Sequence, residues 1–329
     1  MRAAFQQKIE GLLRGQGPDD PSGATAGEMS EKQLLRLQTL AKSGLVSSRV
    51  AWWEEAQFGS EKSSWREKGE LLFKECRDVQ KWLDALPHHS PSFDAAAYSL
   101  ACCVTQNALG RVASRLGKRD EAKGALLRAM ALSPDFVDPY VNMAALLMDF
   151  RKSEAQDWPA RAKALLEKAS SIDPANLRVA FQHARLYSFD VFGDYDRGIA
   201  LLKDLSPDPK ILFLRATLYS RKKQSALAVA ELNRILALNL SPKTVDLFAR
   251  LVVRLKPEEG RKAMLKKALS CVQRMRKLYP KKESWPRMEA RLMEAMSKPA
   301  PAAEAPCDDP DDEINAPPSG AAETSTEEE

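Results

Sequence analysis

The side chains best suited to acid–base catalysis or metal binding in this chain are three histidines, and their neighbours offer them no partner. His88 and His89 lie in a short stretch rich in serine and proline, without a cysteine or carboxylate at metal-ligand spacing. His183 falls in an apolar pattern of helical period, which is typical of a histidine at the edge of a core. The histidines therefore predict neither a metal site nor a catalytic base.

The cysteines, the other potential nucleophiles and metal ligands, are five in number and irregularly spaced: Cys76, Cys102, Cys103, Cys271 and Cys307. An odd number without a pattern does not indicate a disulfide framework, so we expect reduced, buried thiols and a cytoplasmic protein. The chain has no glycine-rich phosphate loop, and residues 193–195 are predicted to be a turn between helices. Without a nucleophile, a base or a cofactor motif, we predict no enzymatic activity and no cofactor.

Composition favours a large helical core. The chain has 329 residues, of which 44% are hydrophobic. Alanine, leucine, lysine and arginine dominate its middle, which is typical of helices rather than sheets. No stretch reaches the roughly 18 consecutive apolar residues that a membrane-spanning helix needs, so we predict no membrane insertion.

A pattern of small and large apolar residues returns four times between Gln106 and Ile235. In each copy a small residue lies among large ones on a first helix, and a second such set follows on a second helix. Steps of 34, 40 and 32 residues separate the small residues of the first helices, which are Gly110, Ala144, Ala184 and Ala216. Because a small residue lets two helices cross closely, the pattern predicts four helix hairpins stacked on one another.

Two features explain the unequal steps and the ends of the helices. The polar, proline-ended stretch 151–159 is inserted between the two helices of the second hairpin, where loops tolerate extra length. Pro134 and Pro174 follow second helices and stop them, because proline lacks the backbone N–H. The alternative, an ordinary helix bundle with chance spacing, is disfavoured because the second-helix pattern recurs in all four copies.

This spacing resembles that of the tetratricopeptide repeat, a family of stacked helix hairpins that hold a peptide or another protein. The resemblance implies an all-α solenoid of about four repeats with irregular capping helices and a disordered acidic C-terminal tail. It also implies that the first helices line a concave groove. The residues at groove-facing positions would be Asn107, Arg111, Asn142, Arg178, Gln182 and Arg185.

Chaperone-binding members of the family hold a C-terminal carboxylate with a set of lysine, asparagine and arginine side chains on these helices. Here Asn142 matches that set and Arg178 keeps the charge of its lysine counterpart, whereas the other three places differ, which argues against heat-shock chaperone tails. Amides pair with a peptide backbone, and arginine makes bidentate contacts to carboxylates. We therefore predict an extended, acidic or carboxylate-ended peptide ligand, unless the arginines are merely solvated.

The organisation along the chain is predicted from composition and helix patterns. Trp52 and Trp53 are expected between the two helices of an N-terminal hairpin that caps the stack. The predicted segments are a flexible N-terminal segment at 1–29, a helical capping region at 30–92, the four repeats at 93–241, an irregular basic hairpin with a capping helix at 242–297, and the disordered acidic tail at 298–329.

Charge is distributed unevenly along this organisation. The net charge is +5, but residues 299–329 carry ten acidic side chains and no basic one, so the rest of the chain carries +15. Residues 243–298 are the most basic, with 16 Lys and Arg against 6 Asp and Glu. This asymmetry suggests contact of the acidic tail with the basic helices, and nucleic-acid binding by those helices as an alternative that their sparse aromatic residues disfavour. A role as accessory subunit of an enzyme is a further alternative.

Overall fold

The computed structural model describes residues 31–56, 62–90, 93–153, 156–238, 240–256 and 260–297. The segment 1–29 and the acidic tail 298–329, for which flexibility and disorder were predicted, lie outside these residues. Every regular element in the described ranges is an α-helix, which confirms the predicted all-α class. Over these same ranges, no helix combines the length and the apolar character that crossing a membrane requires.

Thirteen helices in the described part of the chain group into two compact units that divide between Pro174 and Ala175. The first unit contains α1 (Glu31–Ala56), α2 (Lys62–Asp84), α3 (Ala95–Leu116), α4 (Arg119–Leu132), α5 (Val137–Asp149) and α6 (Trp158–Ile172). The second contains α7 (Leu177–Tyr187), α8 (Tyr195–Leu201), α9 (Pro209–Arg221), α10 (Ser225–Leu238), α11 (Pro242–Val252), α12 (Arg261–Leu278) and α13 (Ser284–Ser297). The division falls inside the predicted repeat block 93–241.

The N-terminal hairpin of α1 and α2 is closed by a stacked tryptophan pair. The rings of Trp53 and Trp65 are nearly parallel, with centroids 4.3 Å apart. Each indole N–H donates to the other residue's backbone carbonyl, at 2.9 Å from Trp53 and 3.3 Å from Trp65, so both polar ends are satisfied. The expected position of Trp52 and Trp53 between two helices is wrong. Both lie within α1, because Val46, Val50 and Trp53 continue its buried stripe at helical spacing.

Gly110 marks a close helix crossing in the first repeat hairpin, which is formed by α3 and α4. A Cβ atom on Gly110 would lie 2.6 Å from Cγ and 2.8 Å from Cδ2 of Leu126. The hairpin turns at Gly117, whose φ of +83° is a left-handed conformation that favours glycine. In the second unit Gly198 has the same role on α8, since its Cβ would lie 3.0 Å from the Leu218 side chain. The small residues of the repeat pattern therefore lie where helices touch.

Replacing Gly110 by alanine is expected to destabilise the first unit, although alanine is the better helix former. The new methyl group would overlap the branch point of Leu126, and such overpacking typically costs about 1–3 kcal/mol. Gly124 on α4 provides the matched control, because its Cβ would meet only Arg128 Nη1, at 3.6 Å. Gly124→Ala should stabilise the protein by about 0.5–1 kcal/mol. Urea unfolding of the two variants checks this, and equal shifts of the same sign would contradict it.

The fourth hairpin, formed by α9 and α10, contains a charged pair inside its core. Arg215 takes the place that Leu109 holds in the first copy of the repeat pattern. Its guanidinium donates to Glu231 of α10, which is 8% exposed and also accepts from Arg234 at 3.2 Å. The hairpin therefore replaces an apolar contact by an ion pair whose partners depend on each other.

The last three helices of the second unit share one hydrophobic core with α9 and α10, in which Phe248 and Trp285 are fully buried. The helices α11 and α12 form a hairpin, and α13 packs against both. Gln273 and Arg276 of α12 bind the carboxylate of Glu289 on α13, at 3.0 and 2.9 Å. These bonds fix the register of α13 along α12.

Candidate partner-binding surface

In the first unit, two of the predicted binding residues contact each other. Nδ2 of Asn142 on α5 donates to Oδ1 of Asn107 on α3 at 2.7 Å. Asn107 is 2% exposed, whereas Asn142 is half-buried and has a further contact within the protein. The amide of Asn107 thus joins two successive first helices. A role in ligand binding remains a prediction for both residues.

Arg111, the third predicted residue of this unit, is paired with a carboxylate of the chain itself. Its guanidinium donates to Glu54 of α1, and Nε of Arg115 lies 3.8 Å from the other oxygen of the same carboxylate. The Arg111 side chain is 14% exposed. In this structure Glu54 therefore holds the place that the sequence analysis assigns to a ligand carboxylate, and binding by Arg111 remains a prediction.

In the second unit, Arg178, Gln182 and Arg185 lie at helical spacing on one face of α7. Arg178 is exposed, and Gln182 and Arg185 are half-buried. The two arginines have other contacts within the protein. Gln182 Oε1 is shielded from solvent and has no hydrogen-bond donor among the described residues, a state that costs about 1–3 kcal/mol. The structure therefore places the three predicted residues on one helix face, and the Gln182 oxygen on it has no donor among the described residues.

The sequence analysis missed a row of basic residues at the starts of the first helices in the second unit. Its members follow each other at steps of 32 and 33 residues and are all exposed: Arg178 on α7, Lys210 on α9 and Lys243 on α11. We call these three residues the basic row. Each lies two residues after the residue that caps its helix, and the caps are Asn176, Asp208 and Ser241. In each helix the basic residue follows the capping residue at the same distance, and this spacing is visible in the sequence.

The basic row lies at an unfavourable place for positive charge. The first turns of α7, α9 and α11 contain no acidic residue. A helix has partial positive charge at its N-terminus, where a basic side chain typically costs about 0.3–1 kcal/mol. At α7 and α11, whose caps Asn176 and Ser241 are uncharged, the basic side chain and the helix end therefore add positive potential at the same position, which favours an anionic ligand. At α9 the carboxylate of the cap Asp208 offsets part of this potential.

A separate concavity lies in the first unit between α2 and α4. Its volume is about 750 Å³, and its floor includes the buried side chain of Gln106. Gln106 donates to Gln80 at 3.0 Å and accepts from Nε of Arg128 at 3.2 Å. Three basic and three acidic residues line the cavity: Arg77, Lys81, Arg128, Asp84, Asp120 and Glu121. Because the charges balance, the cavity favours neither an anionic nor a cationic ligand.

The thiols of the described residues are free and poorly ionised. Cys76, Cys102 and Cys103 are buried, and Cys271 is half-buried. Burial raises the pKa of Cys76 to about 12 and that of Cys103 to about 11, so neither is a thiolate near neutral pH. Cys307 lies outside the described residues. Where the structure describes them, the cysteines are therefore poor nucleophiles.

Two histidines of the sequence analysis have aromatic neighbours. The ring of His88 lies edge-on to Phe93 and Tyr98, with both centroid distances at 4.8 Å. His183 is half-buried on α7, with its ring centroid 6.3 Å from that of Tyr187. These contacts are packing interactions.

The chain is similar in structure to several proteins of known structure. No family model matches the chain, and no curated protein does. Similar solved structures include a thermophilic TPR protein from Thermus thermophilus, with 19% identity over 56% of this chain and 89% of that chain (TM-score 0.43). A tetratricopeptide repeat protein from Parabacteroides merdae has 13% identity over 80% and 100% of the two chains (TM-score 0.45). PilF of Pseudomonas aeruginosa has 12% identity over 76% and 98% (TM-score 0.49).

Each of the two units is a stack of helix hairpins with small residues at the helix crossings, and the hairpins carry the predicted residue pattern. The chain has the tetratricopeptide repeat fold. In this fold α1, α3, α5, α7, α9 and α11 are the first helices of the hairpins, and the predicted binding residues all lie on such helices.

Proposed function

We propose that the chain is a non-catalytic scaffold that binds an extended, acidic or carboxylate-ended segment of a partner protein on the first helices of its repeats. The observation that carries the proposal is the basic row at the starts of α7, α9 and α11. Three exposed basic residues in the same register favour a ligand with several negative charges, and the uncharged caps of α7 and α11 leave the positive helix ends to contribute there.

The spacing of the basic row suggests the form of the ligand. Packed helices lie about 8–10 Å apart. An extended chain rises about 3.3 Å per residue. Successive first helices are at least this far apart, so one hairpin corresponds to three or more residues of an extended ligand. We therefore expect the acidic residues of the bound segment to be spaced rather than contiguous, with three positions as the shortest spacing.

Gln182 supports an extended ligand with an accessible backbone. Its side-chain oxygen lacks a donor among the described residues, and the face of α7 that carries it also carries Arg178 and Arg185. A backbone N–H of the ligand is the donor that would satisfy Gln182, while the two arginines meet carboxylates. For the first unit we propose a separate contact at Asn142 and Arg111, in which a ligand carboxylate replaces Glu54 on Arg111.

Reversing the charge of the basic row is expected to weaken peptide binding by a hundredfold or more. The variant is Arg178→Glu, Lys210→Glu and Lys243→Glu, and a charged hydrogen bond typically contributes about 1.5–3 kcal/mol. The probe is a fluorescent peptide with glutamate at every third position, measured by anisotropy against a peptide of equal composition with contiguous glutamates.

The matched control reverses three exposed bases of α2, namely Arg66, Lys68 and Lys74, which changes the net charge equally. If binding falls to the same extent in both variants, the loss is caused by the change in net charge and not by the position of the basic row. Unchanged binding in the row variant would remove the proposal. A pull-down from native extracts extends the test to proteins. The unmodified chain should capture a partner protein, and the row variant should not.

A further inference from the structure

The most basic element of the described residues is α12, which has 18 residues and no acidic side chain. Its seven basic residues are Arg261, Lys262, Lys266, Lys267, Arg274, Arg276 and Lys277. Three of them have roles within the fold. Arg261 is 8% exposed, Lys267 donates to Asn233, and Arg276 pairs with Glu289 at 2.9 Å. The other four have no such role within the described residues and are available to bind a ligand at the surface.

These four residues, Lys262, Lys266, Arg274 and Lys277, form what we call the α12 basic face. All four are exposed, and at 3.6 residues per turn they lie within about 120° of the helix circumference. None of them has an ion pair with a described residue. Like charges at such spacing repel each other by a few tenths of a kcal/mol per pair. The face is therefore a concentrated positive surface without a partner among the described residues.

The chain contains a complementary acidic segment a short distance further on. Residues 304–313 contain six acidic side chains and no basic one: Glu304, Asp308, Asp309, Asp311, Asp312 and Glu313. The prolines and alanines around them give this segment no apolar surface that would compete for a different binding mode.

The register of α13 places the end of this helix near the basic face. The short connection between α12 and α13 makes the two helices antiparallel, and Glu289 of α13 lies beside Gln273 and Arg276. Ser297 lies eight residues further along α13, or about 12 Å, toward the half of α12 that contains Lys262 and Lys266. The chain therefore leaves α13 close to one end of the face.

The length of chain between Ser297 and the acidic segment matches the size of the face. The 11 residues from Ser297 to Asp308 span about 17–20 Å on average in a flexible chain, and α12 is about 27 Å long. A tether of this length gives a local concentration in the millimolar range, which makes even weak ionic contacts effective.

We infer that the α12 basic face is a docking surface for an acidic segment, and that residues 304–313 of the same chain occupy it. The contact is electrostatic, so it holds at low ionic strength and is released at about 1 M salt, where the screening length is about 3 Å. An acidic partner segment competes with it. The face belongs to α12, the second helix of its hairpin, so it is separate from the basic row on the first helices.

Paramagnetic relaxation on the full-length chain tests this inference. A spin label on Cys307 lies next to the acidic segment, and Cys271→Ser removes the half-buried thiol of α12. We expect amide signals of residues 262–277 to lose intensity at 50 mM salt and to recover at 1 M salt. Neutralising Asp308, Asp309, Asp311, Asp312 and Glu313 with Asn or Gln should restore the signals. Neutralising Glu323, Glu327, Glu328 and Glu329 instead should restore them much less.

A second measurement uses a short single-stranded oligonucleotide as a generic polyanion. If residues 304–313 occupy the face, their neutralisation should raise the affinity for the oligonucleotide several-fold, and reversing Lys262, Lys266, Arg274 and Lys277 should abolish the gain. Equal affinities of the native and neutralised chains, or unchanged α12 signals with the label in place, would overturn the inference. Tight oligonucleotide binding by both chains would favour the nucleic-acid hypothesis instead. Neither result bears on peptide binding by the basic row.

Discussion

Replacing Trp53 by alanine is expected to lower the free energy of unfolding of the first unit by about 3–5 kcal/mol, the usual cost of truncating a buried tryptophan. The residue is 1% exposed and stacks on Trp65, and its indole N–H is satisfied by the carbonyl of Trp65. The substitution removes the stack, leaves that carbonyl without its donor, and opens a cavity between α1 and α2. Urea unfolding followed by circular dichroism measures the loss.

The adjacent Trp52 is the matched control for this prediction. It has the same side chain on the same helix but is 66% exposed, so Trp52→Ala should change stability by less than about 0.5 kcal/mol. The near-ultraviolet dichroism of the stacked pair should also disappear with Trp53→Ala alone. Similar losses of stability from both substitutions would show that the stack does not hold the hairpin together.

Replacing Glu231 by alanine is expected to destabilise the second unit by about 3–5 kcal/mol, because it leaves Arg215 without its carboxylate inside the protein. The side chains of Arg215 and Glu231 are 17% and 11% exposed, so water compensates little of the lost contact. Nε of Arg215 already has no partner among the described residues. Urea unfolding, with hydrogen exchange to locate the effect in α9 and α10, measures the change.

Two further variants separate the loss of a partner from the loss of a side chain. The double variant Arg215→Leu and Glu231→Leu should be clearly more stable than Glu231→Ala, because apolar residues often replace a buried ion pair without loss. Asp196→Ala removes an ion pair with Lys222 whose aspartate side chain is 80% exposed, and it should cost no more than about 1 kcal/mol. A double variant less stable than the single one would contradict the interpretation.

The hairpins were predictable because each depends on local spacing. A small residue such as Gly110 has to lie opposite a large one such as Leu126, and the helical period records both positions in the sequence. The end of α1 was predicted wrongly, although its buried stripe continues through Trp53 at helical spacing. What the spacing does not reveal is the stack of Trp53 on Trp65, because that contact joins two helices.

The binding surface was predictable only in part, for a similar reason. The spacing of the repeat identified the helix faces that carry Arg111 and Arg178, but it contained no information on which carboxylate Arg111 contacts. Glu54 lies 57 residues away in the chain, and only the packing of α1 against α3 brings the two together. The basic row was available from the sequence, since each base follows a capping residue at the same distance, but it required the helix starts to be known.

The caps of α7, α9 and α11 have a thermodynamic consequence. Each cap stabilises the start of its helix, and the base two residues later partly opposes that stabilisation. An anion that neutralises these bases removes the opposition in three helices at once. Occupancy and folding of the second unit are therefore linked equilibria, so that its melting temperature reports on saturation by any ligand that binds there.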